Sequence, residues 1–200
     1  MGLDAYVNTF GAVCKAKYGE RLRKLTIDAK FTCPNRDGTL GRGGCTFCNV
    51  ASFSYQQTET LSISEQLEQG KARYKEAKPK LNADKFIAYF QAYTSTYDEY
   101  QVLMAKYDEA VKDSEIVGLC VGTRPDCVPD NVLDLLASYQ QKGVDVWLEL
   151  GLQTANDKTL QIQLWRNAQV KRHIERVVVR GERFGRGTTR NRVHHWCFHF

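Results

Sequence analysis

The sequence predicts an α/β protein with about four parallel strands and helices packed around them. Short apolar runs, such as EIVGLCV at residues 115–121, are typical of strands that are buried on both faces. These runs alternate with amphipathic helical segments, which is the pattern of right-handed βαβ units. Polar and glycine residues follow the predicted strands, and parallel sheets hold their ligands at those carboxyl ends.

The first half of the chain contains two predicted strands. KLTIDAKF (24–31) is predicted to form the first strand and to run into a loop rich in cysteine and glycine. A helix should follow over residues 62–78, because Ser62 and Glu65 fit a capping box at its start. The apolar, aromatic run KFIAYFQAY (85–93) is predicted to be the second strand.

The second half continues the alternation. A helix should begin near Thr96, which fits a second capping box with Glu99, and the run at 115–121 follows it as the third strand. The next helix should start at Pro129, and DVWLELGLQ (145–153) is predicted to be the fourth strand. The buried stripes of these two helices are predicted to be Tyr100, Leu103, Tyr107 and Val111 in the first, and Val132, Leu135, Leu136 and Tyr139 in the second.

Composition limits the class of protein. The chain has 200 residues, of which 42% are hydrophobic, and this is enough for the buried core of one domain. We find no apolar run of about eighteen residues and no secretory leader, so we predict a cytoplasmic protein without a membrane partner. Seven cysteines in a reducing compartment indicate metal binding or catalysis rather than a disulfide framework.

Three of the cysteines share one glycine-rich loop. Cys33, Cys45 and Cys48 have the spacing C-x11-C-x2-C. A structural zinc site needs four ligands and would have to recruit another cysteine, such as Cys120 or Cys127. An iron–sulfur cubane can use three thiolates and leave one iron open, and the loop glycines allow backbone N–H groups to approach it. The spacing favours the cluster, with a zinc site as the alternative.

Several stretches of the sequence resemble the radical S-adenosylmethionine (SAM) superfamily, in the branch shared by the elongator catalytic subunit and the YhcC-like bacterial family. They fall within about residues 5–160 and read KLT, CPNRDGTLGRGGCTFCNVASF, YFQAYTSTY, VGLCVGTRPDCVPD and VWLELGLQTAND. The resemblance implies a partial (βα) barrel with about four of its strands present and the remainder missing.

The resemblance also implies a chemistry. Cys33, Cys45 and Cys48 are expected to ligate a 4Fe–4S cluster whose open iron binds SAM. An electron from a donor of the flavodoxin or ferredoxin type then cleaves SAM to methionine and a 5′-deoxyadenosyl radical. The radical abstracts hydrogen from an unknown substrate, and kinship with elongator makes RNA a candidate.

Three expected cofactor contacts lie near the first two strands. Phe47, between two of the cysteines, matches an aromatic position that packs near the adenine, and a simple core aromatic is its alternative role. Gln91 and Thr94 follow the second strand, where relatives hold the SAM amino group, but the usual GGE-type signature is absent.

Further cofactor contacts are expected at the third and fourth strands. Glu149 and Gln153 resemble the E-x-G-x-Q of the elongator-type branch. An unpaired glutamate in an apolar strand is costly to bury, so Glu149 should have a role or a partner. Arg124 and Asp126 are expected either to hold a carboxylate or the substrate, or to form a local ion pair that fixes the loop.

The likeness is expected to end after Leu160. The predicted domains are therefore a helical lead-in at 1–23, the first part of a radical SAM core at 24–160 and a basic tail at 161–200. The tail has 9 Lys and Arg against 2 Asp and Glu, and it contains all four histidines. We expect a reading-frame change near residue 161, which leaves a poorly active enzyme. The alternative function is a non-catalytic metal-binding module with a nucleic-acid-binding tail.

Overall fold

The computed structural model describes residues 9–46, 48, 61–77, 84–151 and 158. The predicted contacts Phe47 and Gln153 and the predicted tail at 161–200 lie outside these residues. None of the described helices is long and apolar enough to span a membrane. In chain order the elements are α1 (Phe10–Tyr18), β1 (Arg23–Ile27), α2 (Ile63–Ala77), β2 (Phe86–Phe90), α3 (Tyr100–Val111), β3 (Ile116–Thr123), a 3-10 turn (Pro125–Cys127), α4 (Asp130–Gln141) and β4 (Asp145–Leu150).

The four strands form one sheet in the order β1-β2-β3-β4, and each neighbouring pair is parallel. The register places Ile27, Phe90, Val121 and Leu148 at one level across the sheet. Because consecutive strands are neighbours, every crossover advances in the same direction, as it does in a barrel. The predicted α/β fold with four parallel strands is confirmed, and its strand order fits part of a barrel.

The helices α2, α3 and α4 cover one face of the sheet. They pack on the face that carries Phe90 and Val121, and together they enclose the main core. Tyr107 of α3 lies fully buried against this face, with its ring centroid 5.1 Å from that of Phe90. This face is therefore closed to ligands.

The helix α1 covers part of the opposite face. Cys120 and Trp147 on that face pack against Cys14 of α1. The Tyr18 hydroxyl donates to Asp145 Oδ2 at 2.5 Å, which anchors α1 at the first residue of β4. Since α1 lies toward the amino ends of the strands, it leaves the carboxyl edge of the sheet to the loops.

The helix α2 begins at the predicted capping box. Ser62 N donates to Glu65 Oε2 at 2.7 Å, and Glu65 N donates back to Ser62 Oγ at 3.2 Å. Ile63 and Leu67 then enter the core. The local sequence signal and the structure agree here, because the box uses only residues of the helix start.

The second predicted capping box is wrong. The helix α3 begins at Tyr100, and Glu99 occupies its N-cap without a capping hydrogen bond from its side chain. Thr96 does not cap because its buried hydroxyl lies 2.6 Å from Thr123 Oγ1 and donates to Cys127 O. Tyr100 is 36% exposed rather than buried, since it is the first residue of the helix. The other stripe residues are buried or half-buried: Leu103, Tyr107, Val111, Val132, Leu135, Leu136 and Tyr139.

Three strands end before their predicted last residue, and one of them is β4, which ends at Leu150. β1 ends at Ile27 and β2 at Phe90, although apolar or aromatic residues continue beyond both. Lys30 and Tyr93 have positive φ angles of 57° and 62°, which an extended strand does not allow. The chain turns at these points, so the residues after each strand join the loops at the carboxyl edge.

Gly118 gives Trp147 room against the sheet. A Cβ atom on Gly118 would lie 2.5 Å from Trp147 Cζ3 and 3.3 Å from Asp145 O. Trp147 in turn meets Phe10 of α1 edge-on, with ring centroids 5.4 Å apart. The absence of a side chain at residue 118 therefore lets α1 dock on this face.

We expect Gly118→Ala to lower the free energy of unfolding by about 1–3 kcal/mol, because the added methyl group displaces Trp147 from a packed layer. Urea denaturation followed by tryptophan fluorescence measures the change. Gly11→Ala is the matched control. A Cβ atom on Gly11 would lie no closer than 3.6 Å to the Arg21 side chain. Gly11 lies in α1, and alanine is preferred to glycine in helices. An equal loss in both variants would contradict the packing argument.

Candidate metal centre

Three loops meet at the carboxyl edge of the sheet. The loop after β1 is joined to the loop after β2 by a hydrogen bond from Thr94 N to Thr32 O at 3.2 Å. The same two loops are linked further out by Thr39 Oγ1 and the Tyr97 hydroxyl, 2.9 Å apart. Ser95 N donates to Gly122 O at 3.1 Å and ties the second loop to β3. These contacts make the edge one connected rim.

The cysteine loop folds back on itself by local hydrogen bonds. Arg36 N and Asp37 N donate to Cys33 O at 2.8 and 3.1 Å, so a turn begins at the first cysteine. Cys48 N donates to Cys45 O at 3.0 Å, which closes a second turn between the last two cysteines. Gly44 has a φ angle of 89°, and a Cβ atom there would lie 2.9 Å from Arg36 Nε, so glycine is required at this position.

Each of the three cysteine sulfurs lies beside a side-chain N–H donor. Asn35 Nδ2 is 3.0 Å from Cys45 Sγ. Arg36 Nη2 is 3.7 Å from Cys48 Sγ, and Arg124 Nη1 is 3.6 Å from Cys33 Sγ, both within reach of a hydrogen bond to sulfur. The thiolate is the form of cysteine that binds metals, and N–H donors beside such ligands hold them in position.

Arg124 connects the loop to the sheet. It follows the last residue of β3, and only 5% of it is exposed. Its Nε and Nη2 atoms contact Asp126 Oδ1 and Oδ2 at 2.9 and 2.6 Å, a two-point ion pair. The third nitrogen, Nη1, faces Cys33. The local ion pair is thus present, and it leaves one donor directed at the loop.

The donor set of the loop fits an iron–sulfur cluster. Cys33, Cys45 and Cys48 are half-buried cysteines on a single loop, and each has its own N–H donor. Within the described ranges, no three His, Cys, Asp or Glu side chains converge tightly enough to hold a single metal ion. A 4Fe–4S cubane places each thiolate on a different iron, so its ligands surround the group rather than meeting at a point.

Cys14 and Cys120 lie apart from this loop. Both are buried in the small apolar cluster between α1 and the sheet. Burial, followed by the charge of Glu149, raises the pKa of Cys120, so it stays a neutral thiol. Cys127 lies at the end of the 3-10 turn, and its Sγ is 3.9 Å from Asp126 Oδ1. Cys120 therefore serves as a small buried apolar residue.

Two of the expected cofactor contacts, Gln91 and Glu149, lie on either side of Gly122 at the rim. Gly122 pairs with Glu149 across β3 and β4. On the other side of Gly122, the Cα atom of Gln91 lies 3.7 Å from where a Cβ atom on Gly122 would be. Gln91, Gly122 and Glu149 therefore lie side by side, and a Cβ atom on Gly122 would also lie 3.3 Å from Phe90 O, so the glycine allows β2 and β3 to approach closely here. Thr94 lies nearby but is buried, with its N–H bonded to Thr32 O.

Glu149 has the partner that its burial requires. The Lys24 ammonium donates to Glu149 Oε1, and the Tyr89 hydroxyl donates to Oε2 at 2.6 Å. Burial alone raises the pKa of this carboxyl, but the hydrogen bonds from Lys24 and Tyr89 outweigh it and hold the pKa below its usual value. Lys24 Nζ also lies 4.4 Å from the centroid of the Tyr89 ring. The side chain of Lys24 is 28% exposed and that of Glu149 only 7%, so the cation is the more accessible member of the pair.

Sequence reasoning missed four of these residues. Asn35 and Arg36 lie inside the recognised cysteine loop, and their polar side chains next to Cys33 were the available signal. Lys24 and Tyr89 lie in the first two strands, and the charge of Lys24 in a strand could have been matched to that of Glu149.

An open cleft of about 1200 Å³ lies beside the cysteine loop. Thr32 and Pro34, the neighbours of Cys33, line one side of it, and Asp126 and Cys127 line another. The rim is therefore accessible to a molecule larger than a single ion.

Comparison with known proteins identifies relatives of the chain. The sequence model of the radical SAM superfamily matches residues 36–182. Protein YhcC of Escherichia coli K12 is 57% identical over 160 residues, which cover 80% of this chain and 50% of that protein. The uncharacterized protein YtqA of Bacillus subtilis is 41% identical over 143 residues, covering 71% of this chain and 43% of that protein.

A more distant relative comes from an archaeon. The uncharacterized protein MJ0486 of Methanocaldococcus jannaschii is 32% identical over 157 residues, which cover 76% of this chain and 46% of that protein. The chain spans about half the length of the curated relatives it matches.

We expect Lys24→Met to lower the free energy of unfolding at pH 7 by about 2–3 kcal/mol, because it leaves the buried Glu149 carboxylate without its cation. The lowered pKa of Glu149 means that this stabilisation is present at neutral pH and is lost as the pH falls through that pKa. Urea denaturation at pH 7 measures the loss, and the double variant Lys24→Met/Glu149→Gln should recover part of it.

Lys17→Met is the matched control for this change. Lys17 pairs with Asp145, but its side chain is 55% exposed, so its loss should cost less than about 1 kcal/mol. If Lys17→Met and Lys24→Met destabilise the chain equally, the burial of the Lys24–Glu149 pair is not what matters.

Proposed function

The chain belongs to the radical SAM superfamily, and from that premise we propose that it binds a 4Fe–4S cluster through Cys33, Cys45 and Cys48 and SAM at the same rim. The observation that carries the proposal is the loop at the carboxyl edge, on which each cysteine sulfur lies beside a side-chain N–H donor. When bound, the cluster supplies the electron that cleaves SAM to methionine and a 5′-deoxyadenosyl radical. The substrate would bind at the same rim.

The described residues have distinct parts in this proposal. The cysteine loop supplies three thiolates, and its turns at Cys33 and Cys45 hold two of them in place. Gln91 and Glu149, which lie on either side of Gly122 at the edge of the sheet, are proposed contacts of SAM. Both carboxylate oxygens of Glu149 accept hydrogen bonds, one from Lys24 and one from Tyr89. Glu149 therefore contributes together with Lys24, whose ammonium group can pair with the carboxylate of the cofactor.

The remaining assigned contacts complete the proposed SAM site. Thr94 lies buried where the first two loops join, so it supports the position of the loop as well as the cofactor. Phe47 and Gln153 are proposed contacts on the strength of the family resemblance. Cleavage of SAM consumes an electron, and we propose a reductant of the flavodoxin or ferredoxin type as its source.

We expect the chain, reconstituted without oxygen using ferrous iron and sulfide, to bind about four iron atoms and to absorb broadly in the visible range. Cys33→Ala, Cys45→Ala and Cys48→Ala should each abolish formation of this cluster, since each removes a ligand. Iron and sulfide analysis with the visible spectrum measures the outcome.

Cys14→Ala is the control for these variants, because Cys14 is buried on the α1 side of the sheet. It should bind as much iron as the unaltered chain. A colourless protein that binds zinc instead of iron would favour a non-catalytic metal-binding module. Iron binding that survives loss of Cys48 but not of Cys127 would show that the ligand set is wrong.

We expect Gln91→Ala to weaken SAM binding to the cluster-loaded chain about tenfold, or about 1.4 kcal/mol, because it removes a polar contact beside Gly122. Isothermal titration calorimetry measures the affinity, and iron content should not change. Gln141→Ala, an exposed position at the end of α4, should bind SAM like the unaltered chain. Unchanged affinity in Gln91→Ala would remove this residue from the site.

A further inference from the structure

The three donors to the cysteine sulfurs come from two different parts of the fold. Asn35 and Arg36 belong to the cysteine loop itself, whereas Arg124 comes from the end of β3, 91 residues away from Cys33. A donor supplied from the sheet keeps its place only if the structure holds it independently of the loop. Arg124 meets this condition through Asp126.

From this geometry we infer that Arg124 is a positioning residue that sets the reduction potential of the cluster by donating a hydrogen bond to Cys33. The inference rests on the proposed function, since it assigns a role toward the proposed cluster. Hydrogen bonds to the cysteine sulfurs and the net charge around a cluster are two of the terms that set its potential.

The Arg124–Asp126 pair fixes the direction of the donor. A buried guanidinium is costly unless it is paired and hydrogen-bonded, and Asp126 supplies both at two nitrogens, Nε and Nη2. Since the guanidinium is planar, holding two nitrogens fixes the third, and Nη1 points at Cys33 Sγ. A lysine has a single nitrogen and cannot hold Asp126 at two points while donating to Cys33.

The Arg124–Asp126 ion pair also separates the effect of the hydrogen bond from the effect of net charge. Asp126 balances the charge of Arg124, so the pair presents Cys33 with a directed N–H group and little net charge. The reduced cluster carries one more negative charge than the oxidised one, and an N–H donor stabilises the more negative form. Arg124 therefore raises the potential and makes the cluster easier to reduce.

The other two donors differ from Arg124 in their surroundings. Arg36 is half-buried and lies 5.4 Å from the centroid of the Tyr93 ring, and Asn35 is neutral. Both move with the cysteine loop, so changing them also disturbs the ligands. Arg124 is the donor whose loss leaves the loop hydrogen bonds in place, which makes it the informative residue to change.

The test compares Arg124→Met, Arg124→Lys and Arg42→Met in the full chain, each reconstituted with ferrous iron and sulfide. Arg42 is an exposed residue of the same loop, with its guanidinium 3.5 Å from where a Cβ atom on Gly38 would be. Circular dichroism checks folding, iron analysis checks loading, and a redox titration monitored by electron paramagnetic resonance measures the midpoint potential.

We expect Arg124→Met and Arg124→Lys to load iron normally and to have more negative midpoint potentials. For Arg124→Met the reduction equilibrium should weaken at least tenfold, or about 59 mV for one electron. Arg42→Met should keep the potential of the unaltered chain. The Lys variant keeps the charge and removes the fixed donor, so its shift assigns the effect to the directed hydrogen bond.

Three results would overturn the inference: an unchanged potential in Arg124→Met, an equal shift in Arg42→Met, or an unaltered potential in Arg124→Lys. If neither Arg124 variant folds or loads iron while the unaltered chain does, Arg124 serves folding or assembly, and the inference is also wrong. If the unaltered chain itself binds no cluster, the proposed function fails, which is a distinct outcome.

Discussion

Parallel pairing of the four strands fixes the place of every group at the rim. Because all strands run in one direction, their carboxyl ends and the loops that follow them meet at one edge. The helical crossovers occupy one face, and α1 covers part of the other. β3 pairs with both β2 and β4, and it brings Gly122 and Arg124 to the edge. A slip of one residue in β3 would exchange its faces, so both groups depend on this register.

Buried charge imposes a second constraint, because each buried charged side chain needs a partner beside it. Glu149 of β4 is held by Lys24 of β1 and Tyr89 of β2, so one carboxylate links three strands on the face opposite α2, α3 and α4. Arg124 and Asp126 satisfy each other beside the cysteine loop. Removing one member of such a pair leaves an uncompensated charge, whereas the intact pair holds fixed donors with little net charge. The rim therefore has its charges arranged before a ligand arrives.

Local signals in the sequence predicted the strands, the capping box at Ser62 and the cysteine loop, because each depends on residues close together in the chain. The strand ends were not predictable in this way, since apolar residues continue past the turns that Lys30 and Tyr93 make with positive φ angles. The partners of the site residues depend on register and loop placement. Lys24 and Glu149 are 125 residues apart in sequence, and their contact exists only once four strands have paired.

The eleven residues between Cys33 and Cys45 fold by local hydrogen bonds. Leu40 N and Gly41 N donate back to Pro34 O at 2.8 and 3.1 Å, and Gly44 N donates to Asn35 O at 2.9 Å. The residues between Cys33 and Cys45 thus fold onto the start of the loop and bring Cys45 beside Asn35. A shorter spacing would remove residues such as Leu40 and Gly41, whose backbone N–H groups fold the loop back onto Pro34. The long loop thus carries the donors for Cys45 and Cys48, whereas Cys33, at the start of the loop, takes its donor from Arg124, which follows β3.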